Sequence, residues 1–137
     1  MTGVGILLAA CGSSVSGSTL AAQVAHWATG ASPTLAASVS AIQGDIRRID
    51  GVGRDAGALP ADCDLLVTDV LNANQNLPSP DEKLTGLLSA AYVTAGAAGH
   101  HCLSTSAAAR SRSATERAQA RRDLIRALAR YDYVTTP

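Results

Sequence analysis

The chain has 137 residues, enough for one domain and too few for two. Eleven basic and eleven acidic side chains cancel, so bulk charge gives no attraction for nucleic acid. Phe is absent, and Trp27, Tyr92, Tyr131 and Tyr133 are the only aromatics, so the apolar content rests on Ala, Leu and Val, which suits closely packed helices and argues against a β-sandwich core.

The N-terminus carries the apolar run Gly5-Ile6-Leu7-Leu8-Ala9-Ala10, which ends at Cys11 and is followed by Gly12-Ser13-Ser14. A short apolar stretch, small residues, one cysteine and a Gly/Ser tether together resemble the signal sequence of a bacterial lipoprotein, with a lipobox at Leu8-Ala9-Ala10-Cys11. The resemblance implies cleavage before Cys11, acylation (palmitate) of its thiol, and a lipid-anchored life on the outer face of the cytoplasmic membrane. Residues 1–10 would then be the signal peptide, 11–18 the lipidated Cys and flexible tether, and 19–137 a single helical domain. Met1-Thr2-Gly3-Val4 has no Lys or Arg, whereas a signal starts with positive charge, so the signal is expected to begin upstream of Met1. Ten arginines against one lysine, Lys83, with abundant Ala, fit a GC-rich genome, and the resemblance is therefore read as actinobacterial.

Five helical segments are expected. The first spans about 19–29, with Leu20, Val24 and Trp27 on one face and Gly30 as its stop. Ser32-Pro33 reads as an N-cap and first helical residue. Leu35, Val39, Ile42, Ile46 and Ile49 then form a regular apolar seam, stopped by Asp50-Gly51-Val52-Gly53. The third helix starts near Pro60, with the seam Leu59, Cys63, Leu66, Val70, Ala73 and Leu77. An extended connector, Leu77-Pro78-Ser79-Pro80, precedes the fourth helix, for which Ser79 is the expected cap and Glu82 closes a capping box. Its seam is Leu84, Leu88, Ala91, Ala95, Ala98 and Cys102, and Gly86, Gly96 and Gly99 are candidates for close helix approach. The fifth helix is expected from Ser113 to Tyr131, opened by Ser113-Ala114-Thr115-Glu116, with Leu124, Ile125, Leu128 and Tyr131 inward and a frayed tail after it. Apolar seams joined by short connections give an all-α, up-and-down bundle of four to five helices.

With Cys11 assigned to lipid, Cys63 and Cys102 remain, both on core seams. In an exported protein two such cysteines point to a disulfide, which would link the third and fourth helices into a hairpin. At 1.5 Å per residue the two helices leave the cysteines about 13 Å out of level, so the connector must climb past the end of the third helix. The rival reading places His100, His101 and Cys102 with Asp62, Cys63 and Asp64 around zinc, but adjacent histidines diverge by about 100° on a helix. His100 and His101 read more simply as solvent-facing residues at a helix C-terminus, and His26 as a surface or boundary residue. No metal or cofactor is expected.

No GxSxG elbow and no nucleophile–base–orienter set can be assembled, so no catalytic residue is assigned and the protein is read as a non-enzyme. Asp62, Asp81 and Glu82 are explained by helix caps and dipoles. Arg110, Arg112, Arg117, Arg121 and Arg122 are candidate contacts to anionic lipid head groups, since one lipid chain holds a protein weakly; the alternative is a solvated helix face. The C-terminal hairpin is similar in style to small secreted actinobacterial proteins. The expected role is an envelope interaction or modulator protein, its partners being the membrane through the lipid anchor and another envelope protein. A prophage-type lipoprotein that excludes superinfecting phage, and a carrier or sensor of an apolar ligand, are the alternatives.

Overall fold

The computed structural model describes residues 17–51 and 57–137; Cys11, the lipobox and most of the tether lie outside the described residues. Five helices form the described part: α1 (Leu20–Gly30), α2 (Leu35–Asp50), α3 (Leu59–Asn74), α4 (Glu82–Cys102) and α5 (Ala107–Thr135). α2 packs on α3, α3 on α4, α4 on α5, and α5 back on α2, while α1 lies across α5 and α2. Cross-links between sequential helices fix their directions. Asp62 meets Arg48, Cys63 meets Cys102, and Ala98 meets Ser113 while Asp81 meets Arg130. Each pair runs antiparallel, which is the expected up-and-down bundle.

The core follows the predicted seams of α2, α3 and α4; on α1 Val24 is buried, but Leu20, read on the same face, is exposed. Val39, Ile42, Ile46 and Ile49 of α2, Cys63, Leu66, Val70 and Ala73 of α3, and Leu84, Leu88, Ala91, Ala95, Ala98 and Cys102 of α4 are all buried. α5 contributes Ala120, Leu124 and Ala127, with Leu128 and Tyr131 packed against the core from its edge. Ile125 does not face inward as expected: it is 57% exposed. One residue past Leu124 on a helix is a turn of about 100°, which carries its side chain off the buried stripe.

Three helix starts differ from expectation. α2 is capped by Thr34, whose Oγ1 accepts from the Ala37 N–H at 3.2 Å, and not by Ser32. A helix begun at Pro33 would give that carbonyl to Ala37; the Pro33 carbonyl instead accepts from Asn76 Nδ2 at 3.0 Å. α4 is capped by Asp81, whose Oδ1 accepts from the Leu84 N–H at 2.7 Å. Ser79, the expected cap, donates its hydroxyl to the Asp81 carbonyl at 2.7 Å and braces the connector. A carboxylate facing the helix N-terminus is the stronger cap, because it carries full charge against the dipole.

α5 starts at Ala107, about two turns before Ser113, with Ser106 Oγ accepting from the Ala109 N–H at 3.3 Å. Ala107-Ala108-Ala109 has the highest helix propensity available, so the helix extends back to the first serviceable cap. Ser113 lies inside α5, fully buried, donating to the Ala98 carbonyl at 2.7 Å. The expected frayed tail is also helical, through Thr135.

The connector between α3 and α4 has the geometry the cysteines demand. From Cys63 to Asn74 is about 16 Å of helix, and from Glu82 to Cys102 about 30 Å. Residues 75–81 take up the difference, and the Cα atoms of Cys63 and Cys102 come to 5.9 Å.

Candidate functional site

The Cys63–Cys102 disulfide joins the second turn of α3 to the last residue of α4, with both cysteines in the core. Gly99 makes this approach possible. A Cβ there would fall 2.6 Å from Val67 Cγ2 and 3.3 Å from the Cys63 carbonyl oxygen, inside van der Waals contact. Gly96 lies 3.5 Å, as a hypothetical Cβ, from Val70 Cγ1, an ordinary contact. Gly86 meets nothing within 4 Å among the described residues and plays no part in helix approach.

The disulfide consumes both thiols of the rival zinc reading. His100 is exposed, and His101 Nδ1 lies 2.7 Å from Glu116 Oε2 on α5. Among the described residues no group of three His, Cys, Asp or Glu side chains is placed to hold a metal ion. His26 is exposed, as expected.

The five arginines expected as head-group contacts lie along α5 but do not act alike. Arg117 Nε and Arg121 Nη2 bind the two oxygens of Asp50 at 2.8 and 2.5 Å, locking α5 to the end of α2. Arg117 also donates to Ser113 Oγ at 2.7 Å and is only 12% exposed in its side chain. Arg110 donates to the Thr105 carbonyl at 2.6 Å and Arg122 to Gln119 Oε1 at 2.8 Å. Arg112 is exposed. Arg110, Arg112 and Arg122 are exposed at different azimuths of α5, positions 110 and 112 lying about 200° apart, while Arg117 and Arg121 are committed to Asp50. Farther along, Arg130 grips both oxygens of Asp81 at 3.0 and 2.7 Å and lies 5.3 Å from the Tyr133 ring centroid. The Arg130 guanidinium holds the Asp81 carboxyl below its ordinary range.

A buried acidic site between α2 and α3 was not apparent in the sequence. Asp45 is fully buried, faces Asp69 and is contacted by Arg48. Burial pushes its carboxyl up to about 7, and the hydrogen bond and charge of Asp69 push the same way against Arg48. Asp45 Oδ2 has no donor within reach among the described residues, so a hydrogen bond between the two carboxyls requires one of them to carry the proton. The available signal was position: Asp45 lies between Ile42 and Ile46, inside an apolar seam. Asp62 binds Arg48 Nε at 3.5 Å, and Asp64 is exposed, so the acidic residues of α3 do not converge.

Apolar surface is displayed where α3 meets α4. Leu71 and Val93 are 59% and 69% exposed and flank a groove of about 280 Å³ with Val70, Tyr92 and Gly96. Burial pushes the Tyr92 hydroxyl up to about 12, which keeps it neutral and unsuited to act as a base. A second apolar pocket, between Ala28, Leu35, Leu128 and Tyr131, holds about 140 Å³, below the range of about 300–1,000 Å³ typical of small-molecule sites. No helix among the described residues is long and apolar enough to cross a membrane. No family model, curated protein or solved structure matches the chain.

Proposed function

We propose that the protein is a lipid-anchored cell-envelope lipoprotein that works without catalysis, by holding another envelope protein at the outer face of the cytoplasmic membrane. The observation that carries this reading is the Cys63–Cys102 disulfide, a bond characteristic of proteins folded in an oxidising compartment. It is joined by the lipobox pattern ending at Cys11. The exposed pair Leu71 and Val93 beside a shallow groove supplies apolar surface of the kind that partner proteins cover. Arg110, Arg112 and Arg122 offer the second, electrostatic attachment that a single lipid chain requires. Of the five arginines, these carry the head-group contact, because Arg117 and Arg121 are bound to Asp50.

Replacing Cys11 by Ser tests the anchor. The variant is expected in the soluble fraction of cells that hold the parent protein in the membrane fraction. Unchanged fractionation would refute the lipid attachment. In-cell crosslinking of the anchored protein from position 71 or 93 then identifies what it holds.

A further inference from the structure

α4 carries a second apolar seam. The inner one, from Leu84 to Cys102, is buried in the bundle. The outer one runs Gly86, Ala90, Val93 and Ala97, at steps of four, three and four, the spacing of helices that pair along their length. Gly86 and Ala90 are exposed, Val93 is 69% exposed and Ala97 is half-buried. Between Lys83 and His100, about 26 Å of helix, there is no charged side chain. Leu71 of α3, 59% exposed, widens this face across the groove of about 280 Å³. Surface helices of a bundle carry polar residues on their outer face, so an uncharged outer seam flanked by Leu71 is a surface that another chain covers.

The seam matches itself when reversed. Gly86 and Ala97 lie equally far from the midpoint between Ala91 and Tyr92, and so do Ala90 and Val93. The ends match as well. Glu82 and His100 are both exposed and stand about five full turns apart, so they share one line of the helix. We propose that a second copy of this chain covers the outer face of α4 with its own α4, antiparallel about a twofold axis through that midpoint. Such an interface uses one patch twice. It sets Gly86 opposite the partner's Ala97 and Ala90 opposite the partner's Val93. Glu82 then accepts a hydrogen bond from the partner's His100 at each end. A parallel pair would set Glu82 against the partner's Glu82, and like charges exclude it. Ala90 and Ala97 let the two axes come to about 8 Å, the near end of helix packing distances. The inference deepens the reading above: it rests on Leu71 and Val93 being a surface that proteins cover, and names the protein.

Sedimentation of the purified full chain carrying Cys11→Ser, so that no lipid drives association, tests the dimer. A contact of one helix face and a flanking leucine is small, so a Kd on the order of 10 µM is expected. Val93→Glu should raise it at least about tenfold, and because Val93 is exposed the helicity should stay that of the parent. Ile125→Glu, at an exposed apolar residue of α5 outside this face, should dimerise like the parent. Engineered cysteines read the direction. Ala90→Cys, next to the axis, should link two copies on oxidation. Gly86→Cys alone should not, and Gly86→Cys mixed with Ala97→Cys should. A monomer at about ten times the expected Kd, equal loss in Ile125→Glu, or linkage of Gly86→Cys to itself would each overturn the proposal. A monomeric purified chain whose position 93 captures a different protein in cells would assign the face to that protein and reject the second copy. Failure of Cys11→Ser to leave the membrane fraction would remove the lipid anchor and leave the dimer standing.

Discussion

Asp45 shows how a single buried side chain sets a pH dependence. Its carboxyl is raised from 3.8 to about 7, with burial the first cause and Asp69 the second. A raised carboxyl means that the folded state holds a proton that the unfolded state releases. The stabilisation is complete below the unfolded value and is lost as the pH climbs through the folded one. Asp45→Asn removes the titrating group while keeping its size. It is expected to be roughly 1–3 kcal/mol more stable than the parent at mildly alkaline pH. The difference should shrink in mild acid, where the parent's carboxyl is already protonated. Urea unfolding at the two pH values measures it; an equal effect at both would show that the charge is not what the substitution relieves. Asp81 is the opposite case, held low by Arg130 and by its place at the start of α4. Its contribution is present above the ordinary carboxylate range and is lost as acid protonates it.

At the scale of the helix, two glycines of α4 are expected to respond to the same substitution with opposite sign. Gly86→Ala enters open space and improves helix propensity, a gain of roughly 0.5–1 kcal/mol. Gly99→Ala drives a methyl group into Val67 and the Cys63 carbonyl, a loss of roughly 1–3 kcal/mol. Thermal melts of the two variants should move in opposite directions, and a stabilised Gly99→Ala would contradict the close approach of α3 and α4. The helices themselves were legible, because burial at steps of three and four leaves a periodic mark on the sequence. On α2 the seam Leu35, Val39, Ile42, Ile46 and Ile49 is buried as read. The caps were less legible, because a Ser followed three residues later by Glu names a local possibility and tertiary partners choose among them. At Ser113 that pattern serves otherwise: the serine bonds Ala98 and Glu116 meets His101, both on α4. Asp45 and Asp69 were unreadable as a pair for a related reason, since nothing in either helix alone encodes which residue of its neighbour it meets.

For the molecule as a whole, the disulfide is the main covalent restraint on a core with few large side chains. It closes a loop with a sequence separation of 39, which the chain-entropy model converts to about 3–4 kcal/mol. Reductant should lower the urea midpoint by a corresponding amount, and an unchanged midpoint would show the bond to be thermodynamically idle. A polar tie across the bundle sits at its other end. Trp27 Nε1 donates to the Asn76 carbonyl at 2.8 Å, while Asn76 Nδ2 bonds the Pro33 carbonyl. The α1–α2 turn is thereby pinned to the end of α3. Because Trp27 is the sole indole, the protein carries an optical reporter at this one joint. Its fluorescence follows the seating of α1, whereas circular dichroism follows α1 to α5 together. The interval between those two signals during unfolding is a direct reading of how far α1 shares the cooperativity of the other four.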